Sequence, residues 1–465
     1  MTKRTRTLLF FFCSFCFLII TPLVVFYNQG YRFDLTTYRI TKTGALYFRV
    51  SPRDSEVLLD GRLMKKTDFF FGSALIENLL PGNYSVEIRK EGYSPWRKNL
   101  EVKAMAVTEA NNVVLFPEKN DFAIFAKGVE KFFPSPSGRK TILQKRDSQG
   151  QYLTLFDAQS NIEKIFLRDR SFASKAAAVS FLDLQWSADS QKILIRTVVN
   201  EGERLFWADT QADPASPVAL DLLNGFEKVS FSTGSNPGRQ FLGLKEQALF
   251  FADLDSRKTQ KIMDHVLAFQ SFEGKIYLLD NTGIVSRLDN PLATEKQPLS
   301  DTPFPTRSEV PLELLVSPSN LFLREENSLY RLDEKTRSLV KIVDSLNDFQ
   351  VSPDGEKLVY LNHGEISVYF LKEKTDQPQK KAGERILLAR FSQDIDRAYW
   401  LNNNYLIFSV GESLRIGEID DRPALNVREI AQFKNPLLFF QKSGDNKKAS
   451  VLTEGNFLLS ANLLP

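Results

Sequence analysis

Few residues in this 465-residue chain can do group-transfer chemistry. There are two histidines, His265 in Met263-Asp-His-Val and His363 in Leu361-Asn-His-Gly. A general base needs a positioned nucleophile or an orienting partner, and neither histidine has a second one nearby in sequence. Both read as turn histidines. The two cysteines, Cys13 and Cys16, sit in an N-terminal apolar run, so everything after residue 16 lacks thiols. Disulfides, thiolate zinc sites and cysteine nucleophiles are thereby excluded from the main body. No Gly-x-Ser-x-Gly elbow, Gly-x-x-x-x-Gly-Lys loop or dinucleotide fingerprint occurs. A metal site would have to come from carboxylate pairs: Asp253 and Asp255, Asp394 and Asp396, Asp420 and Asp421. None extends into a calcium-loop pattern, and Asp is favoured in turns, so these read as strand-end turn residues. The sequence therefore assigns no catalytic, cofactor-binding or metal residue, and leaves the binding residues open.

Charge narrows the partners. There are 60 Lys and Arg against 57 Asp and Glu, and Lys3, Arg4 and Arg6 supply the whole surplus. A neutral body argues against nucleic acid, because phosphate binding needs a basic excess. The 38 Phe favour strand-rich structure with large aromatic packing units.

The elements follow from the hydropathy pattern. Residues 7–27 carry no charge. At about 1.5 Å per residue they span roughly 30 Å, the thickness of a bilayer core. The basic flank 1–6 precedes them, so the positive-inside rule puts the N-terminus in the cytoplasm and the bulk outside. A cleaved signal peptide would have a shorter apolar core and a small-x-small site, and the run instead ends Val-Val-Phe-Tyr-Asn-Gln. The expected partner of 7–27 is thus the lipid bilayer, through an uncleaved single-pass anchor. Residues 28–43 follow as a juxtamembrane stalk.

From residue 44 the apolar period becomes two, as in Leu46-Tyr-Phe48-Arg-Val50. Short strands and turn dipeptides such as Asp60-Gly61 and Pro81-Gly82 predict a small antiparallel sandwich over 44–117. Trp96 reads as one of its packed aromatics, and Gly61, Gly82 and Gly92 as turn residues. This stretch resembles the PEGA domain family. The matching residues are Gly44-Ala-Leu46, Val50-Ser-Pro52, Val57-Leu-Leu-Asp60-Gly61, Leu80-Pro-Gly-Asn-Tyr84, Val86 and Lys90-Glu-Gly-Tyr93. The family's naming tetrapeptide reads Pro52-Arg-Asp-Ser here, and its Gly-x-Thr-Pro segment is replaced by Lys65-Lys-Thr-Asp-Phe. The resemblance implies a binding or spacer module of a bacterial surface protein.

Residues 121–465 repeat one short unit: an apolar strand, a Ser-Pro-Asp-Gly-like turn, and further strands ending near Asp. Clear copies are Phe133-Pro-Ser-Pro-Ser-Gly138, Leu184-Gln-Trp-Ser-Ala-Asp-Ser190 and Phe349-Gln-Val-Ser-Pro-Asp-Gly355. Unit starts near 133, 184, 229, 269, 315, 349, 399 and 440 give a period typical of a β-propeller with four strands per blade. Eight blades are expected, with seven as the alternative. Unit-start aromatics such as Phe133, Trp186 and Trp400 should pack between blades. The last unit lacks an outer strand, and the spare strand 122–126 could complete it. The turns resemble WD-repeat-like propellers of the Tol periplasmic type, which implies a scaffolding or sensing role. Polar stretches 371–381 and 442–448 read as solvated loops, the first open to proteolysis.

The sequence thus predicts an all-β protein behind one transmembrane helix. Its segments are a cytoplasmic tail 1–6, an anchor 7–27, a stalk 28–43, a PEGA-like sandwich 44–117 and a propeller 121–465. The function expected is non-enzymatic: display outside the cell membrane to bind a cell-wall polymer or an envelope protein. A sensor or assembly factor with a protein partner, and an enzyme (a hydrolase or lyase) at the propeller centre, are the alternatives.

Overall fold

The structure is a computed structural model that describes every residue except 1, 2, 36, 37, 173–178, 235–237, 294, 307–309, 441–446 and 465. Its single long helix, Lys3–Asn28, buries none of its apolar span against the rest of the chain. By length and composition Thr5–Asn28 can cross a membrane, and a signal sequence would pass the same test. Cys13 and Cys16 lie on this helix as free thiols. The stalk is not featureless, because Tyr31–Asp34 and Arg39–Lys42 pair as a hairpin.

The sandwich has two sheets. One holds Arg62–Lys66, Glu56–Leu59, Gly82–Arg89 and Trp96–Val102 in that spatial order; the other holds Ser73–Leu79, Gly44–Ser51 and Val107–Val114. Alternate residues Leu46, Phe48 and Val50 turn inward against Val86, Ile88 and Leu100, which makes one buried core. The expectation of a wholly antiparallel sandwich needs correction: Gly44–Ser51 and Val107–Val114 run parallel. Parallel neighbours need a long crossover, and the whole four-stranded sheet together with Ser73–Leu79 supplies it.

Among the described residues, eight four-stranded antiparallel sheets follow along 122–460. The first strands of these sheets are Val129–Pro134, Val179–Trp186, Lys228–Phe231, Val266–Phe272, Leu312–Ser317, Asp348–Val351, Ile395–Trp400 and Leu437–Phe439. First strands of neighbouring sheets meet. Trp186 Nε1 donates to the Phe133 carbonyl (2.9 Å) and Trp400 Nε1 to the Gln350 carbonyl (3.0 Å). Phe439 of the eighth sheet packs on Tyr399 of the seventh (5.4 Å between centroids) and on Phe132 of the first (6.5 Å), so the row closes into a ring. Phe122–Lys127 pairs with Asn456–Ser460 and supplies the outermost strand of the last sheet. The closure joins the two ends of the propeller and covers an edge that would otherwise be unpaired. The fold is therefore a β-propeller.

The recurring turn has a local cause. Ser187 Oγ accepts the Lys192 N–H (2.9 Å) and donates to Asp189 (2.5 Å). Ser352 Oγ accepts the Lys357 N–H (2.9 Å) and donates to Asp354. The serine closes the hairpin and the aspartate orients the serine, so Ser-x-Asp recurs where the first strand turns into the second.

Candidate binding surfaces at the module junction

A sandwich with two sheets has exposed strand edges that must be satisfied. Two of them, Trp96–Val102 and Val107–Val114, face the propeller. Along the first, the Arg97 N–H reaches Asn426 Oδ1 (3.1 Å), Asn426 Nδ2 returns to the Arg97 carbonyl (2.9 Å), and the Asn99 N–H reaches the Pro423 carbonyl (3.1 Å). Along the second, the Gln377 amide accepts the Glu109 N–H (3.0 Å) and donates to the Val107 carbonyl (3.0 Å), as a strand partner would. Tyr405 Oη accepts the Val114 N–H (3.0 Å), and Arg422 donates to the Glu109 carbonyl (2.9 Å).

A buried ionic cluster lies at the centre of this junction. Lys98 alternates inward with Trp96, Leu100 and Val102, and its side chain is 0% exposed. Its ammonium meets the Glu418 carboxylate and donates to the carbonyls of Asp420 (2.8 Å) and Arg422 (3.2 Å). Glu418 also accepts Trp96 Nε1 (2.7 Å) and Asn426 Nδ2 (2.7 Å). Burial pushes the Glu418 carboxyl up, and the neighbouring Lys98, Asn426 and Trp96 only partly offset it. Burial also works to raise Asp420, but the Arg422 guanidinium and the Lys98 ammonium overcome it and hold that carboxyl below its usual range.

These contacts revise several sequence expectations. Trp96 is a packed aromatic and also a hydrogen-bond donor to the propeller. Asp420 and Asp421 are more than turn residues: Asp420 sits in the cluster, and Asp421 accepts Lys380 (2.8 Å). Stretch 371–381 is an inter-strand loop with exposed residues, as expected, but part of it is taken up by the interface. Leu371 is buried, Gln377 bonds the sandwich, and Lys374 donates to the Asp376 (2.6 Å) and Pro378 (3.0 Å) carbonyls. Gln377 satisfies backbone at an interface, a role that composition does not distinguish from solvation. Burial lowers the Lys374 amine to about 8. Of the stretch 442–448, residues 442–446 lie outside the described residues.

The other singled-out groups stay apart. His265 and His363 are exposed in turns with positive φ (59° and 44°). Asp253 accepts N–H groups of its own turn, and Asp255 pairs with Arg239. Among the described residues no three His, Cys, Asp or Glu side chains gather as metal ligands. A cavity of about 40 Å³ at the junction is bordered by Trp96, Asn111, Lys374, Tyr405 and Glu418. That is room for a water or two and too little for a substrate.

A larger opening lies beside it. A cleft of about 280 Å³ is lined by Arg49, Arg53 and Phe71 together with Asn111 and Asn112 from the sandwich and Asn402 and Asn404 from the propeller. Phe71 belongs to a run of three phenylalanines, Phe69, Phe70 and Phe71, each more than 70% exposed. Asp68 holds this run in place. Its carboxylate accepts the N–H groups of Phe70 (2.9 Å), Phe71 (2.6 Å) and Ser73 (2.7 Å). The Ser73 hydroxyl and these N–H groups keep the Asp68 carboxyl well below the usual range. Three adjacent exposed phenylalanines on a fixed turn are uncommon on a soluble surface. Sequence reading missed this loop because a Phe triplet between two short strands has no periodicity to assign it.

The comparisons agree with these modules. Residues 43–115 match the PEGA domain family. No curated protein matches the chain. Among solved structures, the WD40 domain of SCAP from fission yeast is 9% identical at a TM-score of 0.45, covering 74% of this chain and 98% of its own. The Cps50 (Swd1) β-propeller domain of Myceliophteria thermophila is 10% identical at 0.37, covering 73% and 99%. A prolyl endopeptidase is 13% identical at 0.42, covering 70% of this chain and 54% of its own. The propeller assignment rests on the strand order described above. A PEGA segment joined to a propeller fits a protein-binding or scaffold role.

Proposed function

We propose that this is a non-enzymatic, single-pass protein of a bacterial cell envelope. Residues 7–27 anchor it with the N-terminus inside, and the sandwich and propeller together present a binding face outside the membrane. The observation that carries this reading is the junction. Two of the four sandwich edges are spent on the propeller, and a buried ion cluster fastens them, so the two modules act as one scaffold with a composite cleft. That cleft offers guanidinium and amide groups beside an exposed aromatic ring, a combination suited to hydroxyl-rich or anionic polymer with apolar sugar faces. Wall polymer is the ligand this chemistry favours.

The test is co-sedimentation of the full chain in detergent micelles with insoluble cell-wall polymer. Saturable pelleting is expected, falling at least tenfold in Phe71→Ser and in Arg49→Glu. Wild-type protein that stays in the supernatant but crosslinks to one envelope protein in intact cells would replace polymer with a protein partner. Turnover of wall polymer by the purified chain would overturn the non-enzymatic reading.

A further inference from the structure

The hairpin that follows the helix has two unlike faces. Cross-strand partners share a face, and Tyr31 pairs with Lys42, Phe33 with Ile40, Arg32 with Thr41 and Asp34 with Arg39. One face therefore carries Tyr31, Phe33, Ile40 and Lys42, the lysine lying over the Tyr31 ring at its base, and the other Arg32, Asp34, Arg39 and Thr41. On the apolar side Phe33 is 53% and Ile40 69% exposed, and Leu35 and Tyr38 at the turn are 75% and 78% exposed. Among the described residues these four side chains stay more than half exposed, with the Phe33 and Tyr38 rings meeting edge-on (6.4 Å between centroids).

Both faces of the hairpin are fastened to the end of the helix. On the apolar face the Tyr31 ring packs edge-on against Phe26 of the helix's last turns (5.4 Å between centroids). On the opposite face Arg32 is a staple: its guanidinium lies 3.5 Å over the Tyr27 ring, donates to the Tyr27 carbonyl (2.7 Å), and reaches Asn78 Oδ1 of the sandwich (2.8 Å). The hairpin closes tightly, since the Thr43 N–H donates to the Gly30 carbonyl (2.9 Å) and the sandwich begins at the next residue. No slack separates helix, hairpin and sandwich.

We infer that this hairpin is a membrane foot: Phe33, Leu35, Tyr38 and Ile40 lie in the interfacial layer of the bilayer that the helix crosses, and the polar face carries the sandwich. The inference rests on the anchor reading above. Aromatic and aliphatic side chains next to a spanning helix are favoured at that depth, and Arg39 and Lys42 flank them where lipid phosphates lie. The foot would fix the tilt of the exterior scaffold relative to the membrane, which a flexible tether would leave free.

The experiment is nitroxide labelling of the full chain in phosphatidylcholine–phosphatidylglycerol vesicles, with Cys13 and Cys16 replaced by Ser. Single labels go on Leu18→Cys, Phe33→Cys, Ile40→Cys and Thr41→Cys, all at exposed or part-exposed positions. Oxygen partitions into lipid and a nickel chelate stays in water. Labels at 33 and 40 are expected to show an oxygen-to-nickel collision ratio at least threefold above the label at 41, with the label at 18 higher still. A lipid-embedded label at 18 with labels 33 and 40 as aqueous as 41 would overturn the foot and spare the anchor. An aqueous label at 18 would overturn both.

Discussion

Substituting Lys98 by Met tests the junction at its centre. Lys98 is 0% exposed and Glu418 5% exposed at the side chain, so neither charge has water to return to when its partner is lost. Removing one member of such a pair costs about 3–5 kcal/mol, because a buried charge is left uncompensated. Exposed pairs behave differently. Arg89 and Glu56, at 51% and 29% exposure, should contribute less than about 1 kcal/mol, and Arg89→Ala is the control. The damage in Lys98→Met should also depend on pH in a definite direction. Glu418 already has a raised carboxyl, and losing Lys98 raises it further. A carboxyl whose folded pKa exceeds its unfolded value binds protons more tightly when folded, so stability rises as pH falls through the folded pKa. The deficit of Lys98→Met should therefore be largest at alkaline pH and shrink as pH falls towards the ordinary carboxylate range. Removing both charges in Lys98→Met with Glu418→Leu should recover most of the loss. Calorimetry of the full chain in detergent reads all three. Wild type should unfold its sandwich together with the propeller, and Lys98→Met should release the sandwich as a separate, lower transition. A loss under 1 kcal/mol, independent of pH, would refute the reasoning.

Other consequences follow from single contacts. Trp96→Phe keeps the packing but removes a donor to a carboxylate, and should cost about 1.5–3 kcal/mol by denaturant unfolding. Phe457→Ala on the closing strand empties a fully buried site between Phe132 and Phe156, and should cost the propeller about 3–5 kcal/mol in the same assay. Gly72→Ala should destabilise the sandwich and disorder the Phe loop, since φ is +68° and a Cβ would collide with the Val50 carbonyl; amide exchange of Phe70 and Phe71 would report it. Lys374 should acylate half-maximally near pH 8, well below surface lysines; titration alongside them would contradict its burial.

Local signals explain what the sequence made legible. The Ser-x-Asp turn is written within six residues, and its hydrogen bonds are made within those six. Every unit start read from the repeat falls in, or one residue beyond, the first strand of a sheet. The spare strand was legible from an imbalance: the last unit is one strand short. What stayed hidden depends on residues far apart. Trp96 and Glu418 are 322 positions apart, and nothing near either one announces the other. Lys98 breaks the apolar alternation of its strand, which is the one local sign that this face meets something charged. The parallel pairing of the sandwich was missed because periodicity marks a strand's faces and not its direction, and the stalk hairpin because short strands of mixed polarity carry weak period-two signals.

The central claim is that sandwich and propeller form one rigid scaffold. The most direct measurement is the distance distribution between spin labels on Arg62→Cys and Glu334→Cys, in the full chain with Cys13 and Cys16 replaced by Ser. A single narrow distance that broadens in Lys98→Met is the predicted result. A broad distribution in the otherwise wild-type chain, unchanged by Lys98→Met, would mean that the modules move independently and that the composite cleft does not exist.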